Sequence, residues 1–160
     1  MDSTERIQVH LLSVWKEEKK LFSRGKECMF FVTDKHIMFV SKTEANPKWW
    51  KSATQRQVIT LMKDDNTMIT QDGYNEKQLL VDLENEKNEE YSYKDIISVD
   101  AQKKPWGTVL FLKIRIDEKE KTFQLSLVKD WVSYPIKDAV KFLTVNWTPI
   151  VEYIRQRITK

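Results

Sequence analysis

A long apolar stretch, "GKECMFFVTDKHIMFVSK" from Gly25 to Lys42, is interrupted halfway by three polar residues. The two halves, "KECMFFVT" and "HIMFVSK", are rich in aromatic and β-branched residues, and each has the length of a strand. Asp34 and Lys35 lie where a two-residue hairpin turn belongs, and Asp tolerates the backbone conformations of such turns. The stretch therefore predicts a β-hairpin whose strands are buried on much of both faces.

A second hairpin is predicted by "GTVLFLKIRI" and "KTFQLSLV", which flank the polar tip "DEKE". Apolar residues recur at every second position of both segments, with mostly polar residues between them. This pattern indicates strands that cover a core on one side. The alternating apolar residues are Leu110, Leu112, Ile114 and Ile116 in the first segment and Phe123, Leu125 and Leu127 in the second.

Two other segments leave alternatives open. "KQLLVDLENEKNEEYSYKDIISVD" predicts that Leu79–Leu83 pairs with Glu90–Tyr93 and that a strand resumes at Ile97–Asp100, but Leu79–Leu83 is also compatible with the start of a helix. Residues 4–16 fit either a helix or a first strand. Residues 44–76 are predicted to be an insertion between strands that contains one helix, within "SATQRQVITLMKDD".

The C-terminal segment "NWTPIVEYIRQRITK" changes to a helical period. Thr148 is a suitable N-cap, and Pro149 suits the first helical position. Ile150, Ile154 and Ile158 recur at every fourth residue and define one apolar face. We expect an amphipathic helix over residues 149–159.

The bulk properties fit one domain over residues 1–160, since this length can bury a real core. No run approaches the about 18 apolar residues of a membrane span. The segment "MDSTERIQVHLL" has acidic residues and no apolar region before a small-residue cleavage site, so we expect a cytoplasmic protein, with peripheral membrane association as an option.

The predicted elements form an α+β fold of six or seven short antiparallel strands followed by one helix. In order and motif they resemble the pleckstrin-homology-like superfamily, especially its GRAM and bacterial PH-type members. "GKECMFFVTDKHIMFVS" resembles the superfamily's G-x-L-x-(L/V)-T-D-K-R-(I/L)-x-F hairpin, with His36 in place of the usual Arg. "EEYSYKDIISVD" is similar to the acidic strand that follows, and "VLFLKIRIDEKEKTFQL" and the closing helix come in the expected order. The resemblance covers residues 20–43 and 78–159, and the insertion at 44–76 is unusually long.

The resemblance implies a PH-like small barrel of about seven strands capped by the C-terminal helix. It also implies a non-enzymatic scaffold that docks on phospholipid headgroups or on protein segments. In lipid-binding relatives the loop before the first hairpin, here "WKEEKKLFSRGK", carries the Lys and Arg that grip phosphates. Several ammonium groups with one forked guanidinium suit a multiply charged headgroup, although Glu17 and Glu18 weaken the field and the loop could simply be solvated. The candidate anion-binding residues are Lys19, Lys20, Arg24 and Lys26.

Tryptophans beside lysines are the second set of candidates. "NPKWWKS" places Trp49 and Trp50 between Lys48 and Lys51, and tryptophan with lysine suits a membrane interface or a protein hot spot. Both rings could instead cap the core. Trp106, which follows a pair of lysines in "DAQKKPWGT", is either a third surface anchor or a lid on the core.

Several classes of function find no support in the sequence. Cys28 is the only cysteine. It lies in an apolar run, which is typical of a buried and unreactive thiol. His10 and His36 have no companions at metal-ligand spacing, and neither a nucleophile elbow nor a phosphate-binding glycine loop is present. The net charge of +3 and the acidic stretch 82–95 argue against nucleic acid. No cofactor, metal or small-molecule substrate is indicated.

The leading hypothesis is a protein-interaction module that uses an exposed strand edge or the groove beside the last helix, with Trp49 or Trp50 as anchor. The alternative is peripheral binding to anionic membranes through the basic loop. Salt separates the two, because attraction to lipid falls steeply with ionic strength and a tryptophan-anchored contact does not.

Overall fold

The described residues form a seven-stranded antiparallel sheet that carries three helices. The computed structural model describes residues 1–21, 23–129 and 142–158. The strands are β1 (Ile7–Glu18), β2 (Lys26–Thr33), β3 (His36–Val40), β4 (Glu89–Ser92), β5 (Ile96–Lys104), β6 (Gly107–Ile116) and β7 (Lys119–Leu127). The helices are α1 (Pro47–Lys63), α2 (Glu76–Asp82) and α3 (Thr148–Ile158).

The strand order β4-β3-β2-β1-β7-β6-β5 forces the sheet to curl. Its two edge strands, β4 and β5, are consecutive in the chain, and only the 3-10 turn Tyr93–Asp95 joins them. Three residues span about 10 Å at most, so the two edges must come close together at this corner. The predicted α+β class, with about seven antiparallel strands and a C-terminal helix, is confirmed.

The β2–β3 hairpin forms as predicted, with Asp34 and Lys35 as its turn. The Thr33 hydroxyl accepts hydrogen bonds from the backbone amides of Lys35 (3.1 Å) and His36 (2.9 Å). These bonds close the turn, and neither turn residue adopts a positive φ. The hydroxyl of Thr33 therefore stabilises this turn in addition to the turn preference of Asp34.

The hairpin is buried on both faces because each face has its own apolar cluster. Phe30, Val32 and Phe39 belong to the main core, inside the curled sheet. Met29, Phe31 and Met38 point the other way, into a second cluster. The other buried members of that cluster are Leu12, Val40, Ala53, Tyr74 and Leu79. The segment between β3 and β4 thus covers the outer face of the hairpin with α1 and α2.

Strand β1 contains a bulge at Leu12 and Ser13. The register with β2 shifts between Leu11 and Val14, and Ser13 has a φ of 52°. β1 pairs with β7 only from Val14 onward, whereas before the bulge the amide of His10 donates to the carbonyl of Ile69 (2.8 Å). β1 therefore changes one of its two neighbours at the bulge. A β-bulge bends a strand and can redirect it in this way.

Helix α1 is fastened to this bulge by side chains. The amide of Leu12 donates to Gln57 Oε1 and Gln57 Nε2 donates to the carbonyl of Leu12, both at 2.8 Å. The hydroxyls of Ser13 and Thr54 lie 2.9 Å apart, and Trp50 Nε1 donates to Ser13 Oγ at 3.1 Å. The bulged backbone, which lacks partners in β2, finds them in α1.

Two of the sequence predictions need correction. Leu79–Leu83 is not a strand, because its first residues lie in α2, where the side chains of Asn75 and Gln78 form a reciprocal capping box. The tip of the β6–β7 hairpin is two residues rather than four: Asp117 and Glu118 both have positive φ, at 50° and 68°, which suits a tight turn between twisted strands.

The structure also distinguishes the two alternatives for residues 4–16 and shows where the C-terminal helix begins. Residues 4–16 contain most of β1, so the strand alternative holds. α3 begins one residue earlier than expected, at Thr148, whose amide donates to the Asn146 side chain (3.1 Å). The predicted last residue of that helix, residue 159, lies outside the described residues.

Replacing Gln57 with Leu should destabilise the protein by about 2–4 kcal/mol, because the variant leaves a buried N–H and a buried C=O of Leu12 without partners. Urea unfolding measures the effect. Gln55→Leu, at an exposed position of the same helix, is the matched control and should change stability by about 0.5 kcal/mol or less. Equal effects of the two substitutions would show that the bulge does not depend on Gln57.

Candidate functional site

The basic loop between β1 and β2 is the candidate site. Beyond the bulge, β1 and β2 stay paired as far as Lys16 and Lys26, and the amide of Lys19 donates to the carbonyl of Thr122 in β7 (2.7 Å). Residues 19–25 form the loop that joins the two strands at this end of the sheet. Phe22, at its centre, lies outside the described residues.

The base of the loop is held by the indole of Trp15. A Cβ atom on Gly25 would lie 2.1 Å from this ring, so only glycine allows the backbone to approach it. Trp15 Nε1 in turn donates to Glu17 Oε1 at 2.8 Å. One of the two carboxylates near the loop is thereby committed to the support of the loop.

The second nearby carboxylate is neutralised by two lysines. Lys20 Nζ lies 2.8 Å from Glu18, and Lys121 Nζ lies 3.6 Å from the same carboxylate. The hydrogen bond from Lys20 holds the pKa of Glu18 below its ordinary value. Of the four candidate cations, Lys20 is therefore the one with a carboxylate partner already.

Lys19 reaches over the sheet instead. Its ammonium lies 5.4 Å from the centre of the Phe111 ring, and Lys104 lies 5.8 Å from the same centre. Contacts of this kind hold an ammonium on a ring while leaving it open to an anion. The structure thus brings Lys19 and Lys104, predicted as parts of separate patches, to one aromatic ring.

Leu21 stands exposed among the cations, with 82 % of its surface accessible. Lys19, Lys20, Arg24 and Lys26 are all exposed as well. Neither Arg24 nor Lys26 forms an ion pair within the described part of the chain. The loop therefore carries an exposed apolar side chain and several exposed cations in one short segment.

Beneath the loop, Lys16 is a buried cation. Its ammonium lies between the rings of Phe39 (4.6 Å) and Phe123 (4.5 Å) and pairs with Glu89, which also accepts a hydrogen bond from Tyr91. A charge so buried is tolerated only because it is paired. Lys16 therefore ties β1 to β4 and is not available to a ligand.

Glu27 adjoins the loop and has an unusual ionisation. Its register partner on β1 is Trp15. Burial raises the pKa of Glu27 to about 7. The carboxyl beside Lys26 is therefore uncharged over more of the pH range, and it detracts less from the positive potential of the loop.

The predicted tryptophan anchors lie in α1 and not in a loop. Trp49 donates through Nε1 to the carbonyl of Asp72 (2.8 Å) and stacks on Tyr74, with 5.8 Å between ring centres. Both indole N–H groups are bonded inside the chain, and both rings pack on the second cluster and are only partly exposed. Lys48 and Lys51 face solvent. The tryptophans thus hold α1 in place, while their lysine neighbours remain free to meet a partner.

Trp106 lies in the turn between β5 and β6 and is 45 % exposed. Its ring centre is 5.1 Å from that of Phe142. Trp106 packs beside the segment that leads to α3, so part of its side chain is covered and the rest is exposed to solvent.

The histidines and the cysteine are structural in the described residues. His10 is buried against Phe31, with 4.1 Å between ring centres, and burial lowers its pKa to about 3. His36 Nδ1 lies 3.0 Å from the Glu5 carboxylate. Cys28 is buried, which raises its pKa to about 12. No group of three or more His, Cys, Asp or Glu side chains in the described ranges could hold a metal ion.

A shallow groove with a volume of about 310 Å³ lies between residues 44–45 and α2. Its central acid is Asp82, which accepts from Tyr74 Oη (2.5 Å) and Thr43 Oγ1 (2.6 Å). This carboxylate is committed to holding the loop at residues 41–45 against α2, and its hydrogen bonds give it a structural role.

Neither a protein-family model nor a curated protein matches this chain. Within the residues that the structure describes, none of the helices combines the length and the apolar character needed to cross a bilayer.

Four exposed apolar residues were not predicted from the sequence: Leu21, Ile59, Met62 and Val81. Leu21 carried a signal, because it lies inside "KKLFSRGK" at the predicted start of a hairpin. Ile59 and Met62 fit a helical period that reads equally well as a buried face, so only the packing of α1 distinguishes the two.

Glu27→Gln should change how stability depends on pH. The unfolded chain loses the Glu27 proton near its ordinary value of 4.5, whereas the folded chain keeps it to about 7. Wild-type stability from this group therefore falls as pH rises from 4.5 to 7. The full shift corresponds to about 3 kcal/mol, and solvent screening of this partly exposed side chain reduces the effect to about 1–2 kcal/mol.

Urea unfolding of wild type and variant at several pH values across this window measures the difference, which should grow in favour of Glu27→Gln as pH rises. Glu120→Gln, at an exposed position, should give a flat difference. A flat difference for Glu27→Gln would mean that this carboxyl ionises normally.

Proposed function

We propose that this chain is a non-enzymatic binding module built on a PH-like barrel, and that it docks on anionic membrane surfaces through the tip of its β1–β2 loop. The barrel is supported by the forced curl of the seven-stranded sheet and by the helix α3, which packs on the main core through Ile150, Val151 and Ile154. The resemblance of the first hairpin to that superfamily points the same way.

The observation that carries the membrane proposal is the exposure of Leu21 in a loop segment rich in exposed cations. An isolated exposed leucine needs no explanation. Because Lys19, Lys20, Arg24 and Lys26 are close to it in sequence and also exposed, the same side chain can enter the lipid interface while the cations meet lipid phosphates.

The expected affinity is low. Each cation near an anionic surface contributes about 1 kcal/mol, and burial of a leucine side chain contributes about 1.5–3 kcal/mol. Glu17 and Glu18 subtract from the electrostatic part. The sum gives a weak, reversible association that requires anionic lipid and weakens with salt.

The structure weakens the case for the tryptophan anchors of the leading sequence hypothesis. Trp49 and Trp50 donate their N–H groups to Asp72 and Ser13 of the same chain. Both rings also pack on the second cluster, so only part of each is accessible to a partner. Arg155 of α3 binds the carbonyl of Val99 in β5 (3.0 Å), which closes part of the predicted strand edge. The basic loop keeps its cations exposed, and we therefore rank the membrane function first.

Co-sedimentation with vesicles tests the proposal. We expect binding to phosphatidylcholine vesicles that contain phosphatidylserine, no binding to phosphatidylcholine alone, and a loss of at least about tenfold between low salt and 0.5 M salt. Lys19→Glu/Lys20→Glu/Arg24→Glu should abolish binding, and Leu21→Ser should weaken it about three- to tenfold.

The matched control reverses three other exposed lysines: Lys42→Glu/Lys87→Glu/Lys94→Glu. It changes the net charge by the same amount and should keep most of the binding. If it abolishes binding as fully as the loop variant does, the attraction depends on overall charge and not on the loop. Absence of binding to anionic vesicles at low salt would reject the membrane function.

A further inference from the structure

Helix α1 has an outer face that the fold does not use. Its inward side packs on the sheet through Ala53, Thr54, Gln57 and Leu61, which are buried. The opposite side is exposed along all four turns. We define the outer face of α1 as Lys48, Lys51, Ser52, Gln55, Arg56, Ile59, Met62 and Lys63, all of which are exposed.

The charge of this face is one-sided. α1 carries Lys48, Lys51, Arg56 and Lys63 and has no acidic residue in its 17 positions, although the chain as a whole has 27 cations and 24 carboxylates. None of the ion pairs formed by the described residues involves these four cations. The acidic pair 64–65 follows only after the helix has ended.

Two large apolar side chains interrupt the cations. Ile59 is 55 % exposed and Met62 is 63 % exposed. Residues three apart lie side by side on a helix, so they form one continuous apolar spot. The folded chain gains little from either side chain, whereas a bound partner could bury both. Methionine also adapts its shape to a partner, which makes it common at recognition surfaces.

We infer that the outer face of α1 is a docking surface for an acidic, amphipathic segment of a partner protein. Such a segment would place carboxylates against the four cations and one or two apolar side chains against Ile59 and Met62. Charge complementarity identifies this occupant. The surface is separate from the basic loop, so the inference goes beyond the proposed membrane function.

A membrane is a poorer occupant for this face. A helix that binds in the lipid interface buries a broad apolar side. α1 already uses its main apolar side against the sheet, and Lys48 projects from the middle of the outer face, in line with Ile59. Two apolar residues among four cations match a protein segment with acids and one small apolar stripe.

A second copy of the chain is also a poorer occupant, because half of the six acids in its most acidic stretch already have partners within the chain. Of the acidic stretch 82–95, Asp82 is buried and bonded to Tyr74, Glu89 pairs with Lys16, and Glu90 pairs with the amino group of Met1 (2.6 Å). The acids of this stretch that remain are Glu84, Glu86 and Asp95, three carboxylates against the four cations of α1. We therefore place the complementary acids on another protein.

The dimensions set the affinity. The cations from Lys48 to Lys63 extend over about 22 Å of helix, which a partner helix of about four turns would match. One face of a single helix is smaller than the about 800 Å² per partner of a stable interface. The contact is therefore transient, with a Kd of about 10 µM or weaker.

A synthetic helical peptide tests the inference. The probe is a labelled peptide of about 15 residues with Glu at i and i+4 positions and a narrow leucine stripe. Its control has the same composition in an order that disperses the leucines. By fluorescence anisotropy at physiological salt, we expect the amphipathic probe to bind at least about tenfold more tightly than the scrambled one.

Variants then locate the contact. Lys48→Glu/Arg56→Glu should weaken probe binding at least tenfold, and Ile59→Ser/Met62→Ser should weaken it about fivefold. The matched controls, Lys87→Glu/Lys94→Glu and Val81→Ser, are also exposed and should leave it unchanged. In ¹⁵N-labelled protein the probe should shift amide signals within α1.

Three results would overturn the inference: equal binding of the two peptides, shifts confined to the β1–β2 loop, or loss of vesicle binding in the α1 variants, which would assign α1 to the membrane. Dimerisation that the α1 charge variant abolishes would replace the acidic partner by a second copy. Failure of the vesicle experiment alone leaves the peptide result standing, so the two proposals can fail separately.

Discussion

The two hydrogen bonds between Gln57 and the peptide groups of Leu12 are the interaction on which the rest of the structure depends. The bulge of β1 breaks the ladder with β2, and a broken ladder leaves backbone groups that must find partners. Gln57 supplies both partners at once. Because this clamp fixes the rotation of α1 about its axis, it also decides which side chains are buried in the second cluster and which face outward.

The same frame separates two basic surfaces with different chemistry. The β1–β2 loop carries an exposed leucine and several exposed cations in one short segment. The outer face of α1 is a rigid, flat helix surface with an apolar spot between cations. The buried pair of Lys16 and Glu89 joins β1 to the edge strand β4 beneath the loop, and so keeps the loop on a stiff base.

The parts of the fold that were predictable from the sequence are those with local causes. Both hairpins follow from short-range patterns, namely a strand-length period and polar turn residues. Leu79–Leu83 was ambiguous, because a segment with four apolar residues in five fits a strand or a helix. The capping pair of Asn75 and Gln78 distinguishes the two only once both side chains are seen. Trp49 and Trp50 could not be oriented from sequence, since their packing depends on Ser13 and Asp72, which are distant in the chain. The candidate loop was found from its cations, but the exposure of Leu21 required the structure.

The depth of residue 21 in the bilayer is the most direct test of membrane docking through the β1–β2 loop. A single-cysteine label at Leu21→Cys is practical, because the only native thiol, Cys28, is buried and has a pKa raised to about 12. With an environment-sensitive dye at this position and a second sample labelled at Ile59→Cys, lipid-borne quenchers report which site enters the membrane. On anionic vesicles we expect the dye at residue 21 to show blue-shifted emission that the lipid-borne quenchers reduce. The dye at residue 59 should keep the emission that it has in water. A label at residue 21 that remains in water while the protein is bound to vesicles would contradict it.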